Sequence, residues 1–183
     1  MDKAIITMML VIAGVVCVSF MFNSLYPAIN RSSDAVVSMS AAVDDRIKSQ
    51  VDIIHAVSEY DSKDTGDYWN DMNSNSHFDI FAWVKNVGTS RILAPEKSDI
   101  FFGEEGDFQR IPYVDHAGGS APYWEYTVED NADEWSKSKT IKINIVYTKS
   151  ISNFGDTGLS TSTTYRIKTI IPNGITDEIY FSL

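Results

Sequence analysis

The sequence has a single cysteine, Cys17, and only three histidines among its 183 residues. One thiol cannot form an intrachain disulfide and excludes a cysteine-based zinc site. The histidines, His55, His77 and His116, form no HExxH pair and no other spacing typical of a shared metal. We therefore predict no disulfide framework and no metal site.

Several motifs of catalysis and cofactor binding are also missing. The sequence contains no GxSxG, GxxxxGK[ST] or GxGxxG, so it lacks a nucleophile elbow, a phosphate loop and a dinucleotide turn. Basic residues are few, 15 against 25 acidic ones, and the net charge is −10. Nucleic-acid binding needs a positively charged surface. We predict a protein without catalytic residues, cofactor or nucleic-acid partner.

Charge is almost absent from the beginning of the chain. The only charged side chains before Arg31 are Asp2 and Lys3, and the run Ile5–Phe22 contains none. A helix of about 20 apolar residues crosses a hydrocarbon core of roughly 30 Å. We therefore predict a transmembrane helix within residues 1–25. Its membrane-anchoring side chains include Ile5, Leu10, Val15 and Phe20.

Other interpretations of this apolar run remain open. A cleaved secretory signal would have a basic beginning, a shorter apolar core and an Ala-x-Ala-like site. A buried core helix seldom lacks charge over 18 residues. A helix that packs into a filament is apolar on all sides, as a membrane span is, so an anchor that also packs into a filament stays open. The short segment before the run favours an N-terminus inside and a C-terminal domain outside.

The next segment, residues 26–60, has the pattern of a stalk. Pro27 is predicted to kink or interrupt the helix. From Val36 to Ile54 the apolar residues recur at helical spacing and indicate an amphipathic helix. Asn30 begins an Asn-Arg-Ser sequon, which is a glycosylation site if this segment lies outside the cytoplasm.

The remaining residues, 61–183, change to a period of two, which is typical of strands. No helical pattern separates the strands, so we predict a mainly β protein with an antiparallel, immunoglobulin-like β-sandwich outside the cytoplasm. Transmembrane helix, stalk helix and sandwich together would form a lollipop. The predicted strands are Phe78–Lys85, Asp99–Phe102, Arg110–Val114, Tyr123–Val128, Ile141–Thr148, Tyr165–Ile171 and Glu178–Leu183.

Acidic loops and aromatic side chains are the candidate binding features of this domain. The acidic loop from Asp61 to Asp71, with Asp64 and Asp67 between them, lacks the D-x-D-x-D-G order and closing Glu of an EF-hand. We interpret it as a solvated turn, although calcium binding stays open. The aromatic residues Phe81, Trp83 and Trp124 are candidates for an exposed patch that contacts a partner protein.

The whole chain resembles the FlaF/FlaG family of archaellum accessory proteins, which are relatives of archaellins with a type IV pilin-like plan. The resemblance is carried by AIITMMLVIAG near the N-terminus, by YPAINRSSDAVVSMSAAVDDRIKSQVDIIHA, by WVKNVGTSRI followed by SDIFF, and by the terminal IIPNGITDEIYF. The Ala/Ser/Val-rich helix and the VDII, VKNVG and PNG elements favour the FlaG type.

This resemblance implies a stator protein of the archaellum motor in the cytoplasmic membrane. FlaF-type domains grip the S-layer and FlaG-type proteins bridge or polymerise beneath it, so the implied partners are the S-layer or other archaellum proteins, in a homo- or hetero-oligomer. Archaellins carry a basic leader, which Met1-Asp2-Lys3 does not resemble, and we expect an unprocessed accessory subunit. The alternatives are a pilin- or archaellin-like filament subunit and a membrane-tethered glycan-binding or hydrolytic domain.

Overall fold

The computed structural model describes residues 2–61, 69–150 and 154–183. The chain divides into two units, residues 1–44 and residues 45–183. The second unit is called the sandwich domain below. It begins well before residue 61, where the sequence pattern predicted the start of the β-sandwich.

The N-terminal helix α1 spans Asp2–Lys48, and all its side chains from Lys3 onward are exposed. By length and composition α1 is able to cross a membrane. Its polar side chains return hydrogen bonds to the helix itself: the Thr7 hydroxyl donates to the Lys3 carbonyl at 2.8 Å, and Ser19 to Val15 at 2.9 Å. These bonds make both hydroxyls compatible with an apolar surrounding. The proposed anchor residues Ile5, Leu10, Val15 and Phe20 are among the exposed apolar side chains.

Helix α1 differs from the predicted anchor and stalk at two points. It continues through Pro27, which removes one hydrogen bond of the many in a 47-residue helix. It also ends at Lys48, and strand β1, Val51–Ser58, replaces the last part of the predicted stalk helix. In β1, the buried residues Val51 and Ile53 are two positions apart, as expected for a strand. A bulge after Ile53 changes the spacing of the apolar residues that follow, and the sequence pattern therefore resembled that of a helix.

The junction between α1 and β1 is held by the turn that follows strand β2. The backbone N–H groups of Val87 and Gly88 both donate to the Gln50 carbonyl, and Thr89 donates to the Lys48 carbonyl at 2.8 Å. A Cβ at Gly88 would lie 2.5 Å from that Lys48 oxygen, so only glycine allows this approach. We call residues 48–50 and 86–90 the junction clamp. The clamp contains the Asn-Val-Gly of the VKNVG element.

Two antiparallel four-stranded sheets form the sandwich domain, and each predicted strand overlaps an observed one, although the strand predicted at Arg110–Val114 lies earlier, at Asp107–Ile111. One sheet has the order β1-β2-β6-β5 and the other the order β4-β3-β7-β8. The strands after β1 are β2 His77–Asn86, β3 Asp99–Glu104, β4 Asp107–Ile111, β5 Tyr123–Val128, β6 Thr140–Lys149, β7 Thr164–Ile170 and β8 Thr176–Ser182.

The core lies between the two sheets and follows the alternation of the strands. Strand β2 contributes Ile80 and Val84, strand β6 contributes Ile143 and Ile145, and strand β7 contributes Ile167, all fully buried. Each such side chain contributes about 1.5–3 kcal/mol relative to its exposed state. The sandwich domain is therefore stabilised by its own apolar side chains.

Candidate functional site

The structure places Trp124 in the core of the sandwich domain. This side chain is 1% exposed and packs edge-on against Tyr113, with ring centroids 4.9 Å apart. It shares the inner face of β5 with Tyr126, while Glu125 between them marks the outer face. Trp124 is therefore a core residue and does not form part of an exposed contact patch.

Phe81 and Trp83 lie on the outer face of β2, as the alternation of that strand predicted. Phe81 is nevertheless only 3% exposed, because Lys142 of β6 lies over it with the ammonium nitrogen 4.1 Å from the ring centroid. Trp83 is half-buried between β1 and β6: its ring stacks on His55 at 5.5 Å. Its indole N–H donates to Glu129 Oε1 at 3.2 Å. We call these five residues the outer aromatic cluster, in which His55 and Trp83 are the accessible rings.

A second feature, not predicted from the sequence, is a buried carboxylate at the end of β1. Glu59 is fully buried and accepts hydrogen bonds from the Asp79 backbone N–H, the Met72 backbone N–H and the Trp69 indole. Burial, with a smaller contribution from the nearby Asp79 charge, raises the pKa of Glu59 to about 6. Glu59 thus joins β1, β2 and the segment 69–72.

Asp79 is a second fully buried carboxylate, beside Glu59. Its Oδ2 accepts hydrogen bonds from the side-chain amides of Asn73, Asn75 and Asn144, at 2.5, 2.8 and 3.3 Å. Burial raises the pKa of Asp79, and the three amides oppose that increase by stabilising the ionised form. Asp79 lies on the same face of β2 as Phe81 and Trp83, and it was not among the candidate residues predicted from the sequence.

The turn that precedes β2 covers this carboxylate. Asp71 accepts hydrogen bonds from the backbone N–H groups of Asn75 and Ser76, at 3.0 and 2.8 Å. Asp71 therefore stabilises the turn, as expected for a polar loop. The other residues predicted for this acidic loop, Asp64 and Asp67, lie outside the described residues. Within the described ranges, no three or more His, Cys, Asp or Glu side chains converge as metal ligands.

Asn30, the predicted glycosylation site, lies on the exposed surface of α1. Helical residues three and four apart share a face, so Arg31 and Ser32 of the sequon point away from Asn30. The asparagine side chain is sterically accessible in this unit. The exposed position of Asn30 is thus compatible with modification.

Comparison with known proteins finds a family, a sequence relative and a solved structure that are each similar to most of this chain. The family model of archaeal-type flagellins matches residues 1–181. An uncharacterised protein of Archaeoglobus fulgidus is 26% identical over 184 residues, which cover 98% of each chain. The archaellum periplasmic stator protein FlaG from Sulfolobus acidocaldarius superposes with a TM-score of 0.50 and 25% identity, over 73% of this chain and 99% of that chain.

A filament structure is similar as well. The archaeal flagellum of Methanospirillum hungatei strain JF1 superposes with a TM-score of 0.53 and 10% identity, over 100% of this chain and 92% of that chain. At 10% identity this likeness concerns the fold alone. The match to the filament structure covers the whole of this chain, whereas the match to the stator protein covers 73% of it.

Proposed function

Because this chain belongs to the archaeal-type flagellin family, we propose that it is a FlaG-type stator component of the archaellum motor. In this role it is a non-enzymatic structural protein that links the membrane to the S-layer and allows torque to be transmitted. The observation that carries the proposal is the 25% identity with the stator protein FlaG, whose structure this chain matches over 99% of its length. The filament likeness, at 10% identity, is weaker in sequence.

The exposed apolar side chains of α1 support the membrane part of the proposal. Exposing the apolar surface of this helix to water costs free energy in proportion to the exposed area, and contact with lipid removes that cost. The exposed side chains include Ile5, Leu10, Val15 and Phe20. We propose a single-pass anchor with the N-terminus in the cytoplasm and the sandwich domain outside. In that orientation Asn30 lies outside the cytoplasm, and we propose that it is glycosylated.

The outer aromatic cluster is the proposed contact surface for a partner. Trp83 combines a half-buried ring with a hydrogen bond at its indole nitrogen, which are properties of residues that anchor protein interfaces. Phe81 supports that ring from below, with centroids 6.3 Å apart. The proposed partners are the S-layer or other archaellum stator or motor proteins, and we also propose that the chain forms a homo- or hetero-oligomer.

The test is a crosslinked pull-down of the protein from its own membranes, with the intact mass of the bait measured in the same run. We expect capture of S-layer or archaellum motor proteins and a bait mass increased by a glycan at Asn30. Trp83→Ala should reduce that capture at least tenfold, because interface anchors contribute about 2 kcal/mol or more. The matched control is Tyr180→Ala, since Tyr180 is 49% exposed on the outer face of the other sheet.

A filament subunit is the second candidate, favoured by the exposed apolar surface of α1 along its whole described length. Helices that pack in a filament would bury that surface as lipid does. Recovery of mainly the protein itself, with an N-terminally trimmed mass, would contradict the stator role and establish the filament role. Equal capture by Trp83→Ala and Tyr180→Ala would contradict only the proposed contact surface.

A further inference from the structure

The second half of α1, residues 26–48, exposes large apolar side chains that repeat every seven residues. Ile29, Val36 and Val43 are seven positions apart along the helix, and their side chains are 63%, 65% and 46% exposed. Met39 lies on the same side of α1, three positions after Val36. Seven residues are close to two helical turns, so the four side chains form one continuous stripe. We call this stripe the stalk seam.

Charged residues of this part of α1 avoid the stalk seam. In heptad notation, with Ile29 at position a, five of the six charged residues between 26 and 48 occupy the outer positions b, c and f. These five are Arg31, Asp34, Asp44, Asp45 and Lys48. The sixth, Arg46, lies at d in the last turn, beyond Val43, where the seam ends. From residue 28 to residue 43 the flanking positions e and g hold only alanine and serine.

Two other features of α1 also lie away from the stalk seam. Pro27 occupies position f, so its ring lies on the opposite side of the helix. Asn30 occupies position b, so a glycan at that side chain would leave the seam open. The apolar face thus remains free of charge, of proline and of the sequon asparagine over two heptads.

Lipid does not account for the exposed stalk seam. About 20 apolar residues cross a hydrocarbon core of roughly 30 Å, and residues 4–25 supply 22 without charge. Ile29, Val36 and Val43 come after that segment and lie among charged residues, which belong in water. In water, an apolar stripe of a helix is buried by packing against another element, in most cases a helix. The heptad register continues backwards through Leu25 and Phe22, so the seam is continuous with the proposed membrane span.

We propose that the stalk seam pairs two copies of this chain in a parallel, two-stranded coiled coil. Copies inserted in one membrane with the same orientation run parallel, so each seam residue meets its own equivalent and the outer charges remain in water. The β-branched residues Ile29, Val36 and Val43 stand at a, as is typical of two-stranded parallel coiled coils. The small flanking side chains allow the two helices to approach closely. Confinement to the membrane raises the effective concentration of the second copy.

This inference rests on the single-pass anchor of the proposed function, and it names a second copy of the chain as one partner. It does not depend on the stator role. Position a lies at the contact between the two helices, whereas position b faces water. A side chain at Val36 and one at Val37 therefore differ in their distance from the partner helix, although both are equally exposed in the single chain, at 65% and 67%.

The test is disulfide crosslinking of the full chain in its own membranes. Cys17→Ser removes the native thiol, so that each introduced cysteine is the only one of its chain. We expect Val36→Cys to form a disulfide-linked dimer about tenfold faster than the matched control Val37→Cys, because a disulfide requires Cα atoms about 4.4–6.8 Å apart. Equal rates at the two positions would overturn the pairing through the stalk seam.

The number of helices is measured by combining Val36→Cys with Met39→Cys in the same chain. In a two-stranded coiled coil both disulfides join the same two copies, so the dimer is the largest product. A ladder of larger products would mean that each helix has more than one neighbour, and it would overturn the two-stranded pair in favour of a helical bundle or filament.

This proposal and the stator role fail separately. Equal crosslinking of Val36→Cys and Val37→Cys, with S-layer or archaellum motor proteins still captured in the pull-down, would overturn the paired stalk alone. A dimer specific to Val36→Cys without capture of those proteins would support the paired stalk and contradict the stator role.

Discussion

Apolar side chains are exposed in helix α1 and buried in the sandwich domain. Every described side chain of α1 from Lys3 to Lys48 is exposed, whereas the apolar residues of the two sheets are packed against each other. The sandwich domain therefore carries its stability within itself, and α1 depends on a surrounding that the chain does not supply. Changes in one region should consequently leave the other region largely unaffected, and three predictions test that separation.

The largest effect is expected in the core of the sandwich domain. Trp124→Ala should lower the free energy of unfolding by about 3–5 kcal/mol, because it leaves a cavity in a packed core. Membrane association through α1 should not change. Urea unfolding of the domain and membrane fractionation of the same variant give the two measurements. A loss of less than about 1 kcal/mol would place Trp124 on the surface after all.

The second effect is the converse change, in the middle of the apolar run. Val15→Arg should oppose membrane insertion by about 2.5–3.5 kcal/mol, the cost of a charged residue at the centre of a membrane helix. The sandwich domain should unfold at the same urea concentration as in the wild type. Val15→Leu is the matched control and should remain in the membrane fraction. Retention of the arginine variant in membranes would contradict a lipid-spanning helix and favour packing between helices.

The smallest effect is a pH dependence confined to the sandwich domain. The pKa of Glu59 is raised from 4.5 to about 6, so the folded state binds a proton more readily than the unfolded chain does. The contribution of Glu59 to the stability is then fully present below pH 4.5 and is lost as the pH rises through 6, a change of about 2 kcal/mol. The raised pKa of Asp79 acts in the same direction.

Urea unfolding at several pH values between 4 and 8 measures this dependence, and Glu59→Gln should reduce the slope. That variant is also expected to be less stable at every pH, because its amide cannot accept all three of the hydrogen bonds that Glu59 receives. Membrane association should not vary over the same range, since residues 4–25 contain no titratable group except Cys17. A flat stability profile would show that Glu59 titrates normally.

Much of this fold follows from local patterns in the sequence. The uncharged run Ile5–Phe22 predicts the first part of α1, and the alternation in β2, β6 and β7 predicts those strands and their inner faces. The predicted FlaF/FlaG resemblance is confirmed by the family and structural comparisons. These features were predictable because each depends on the period of one short segment.

Features that depend on distant residues were not predictable in this way. Strand β1 has a bulge after Ile53, which changes the spacing of its apolar residues so that the sequence pattern resembles that of a helix. The segment is a strand because it pairs with β2. The burial of Asp79 requires Asn144, which is 65 residues away. The inner position of Trp124 depends on which face of β5 meets the second sheet. The strand β1, the burial of Asp79 and the inner position of Trp124 all depend on contacts between distant segments, which a local sequence pattern does not contain.

The junction clamp has a mechanical consequence. A chain that leaves a helix through a few unbonded residues acts as a swivel, and a twist applied at one end is lost there. Here the Lys48 and Gln50 carbonyls accept hydrogen bonds from the turn 86–90, and the backbones approach so closely at Gly88 that a Cβ would not fit. Force applied to residues 48–50 is therefore carried by backbone hydrogen bonds into the turn after β2 as well as by the covalent chain into β1.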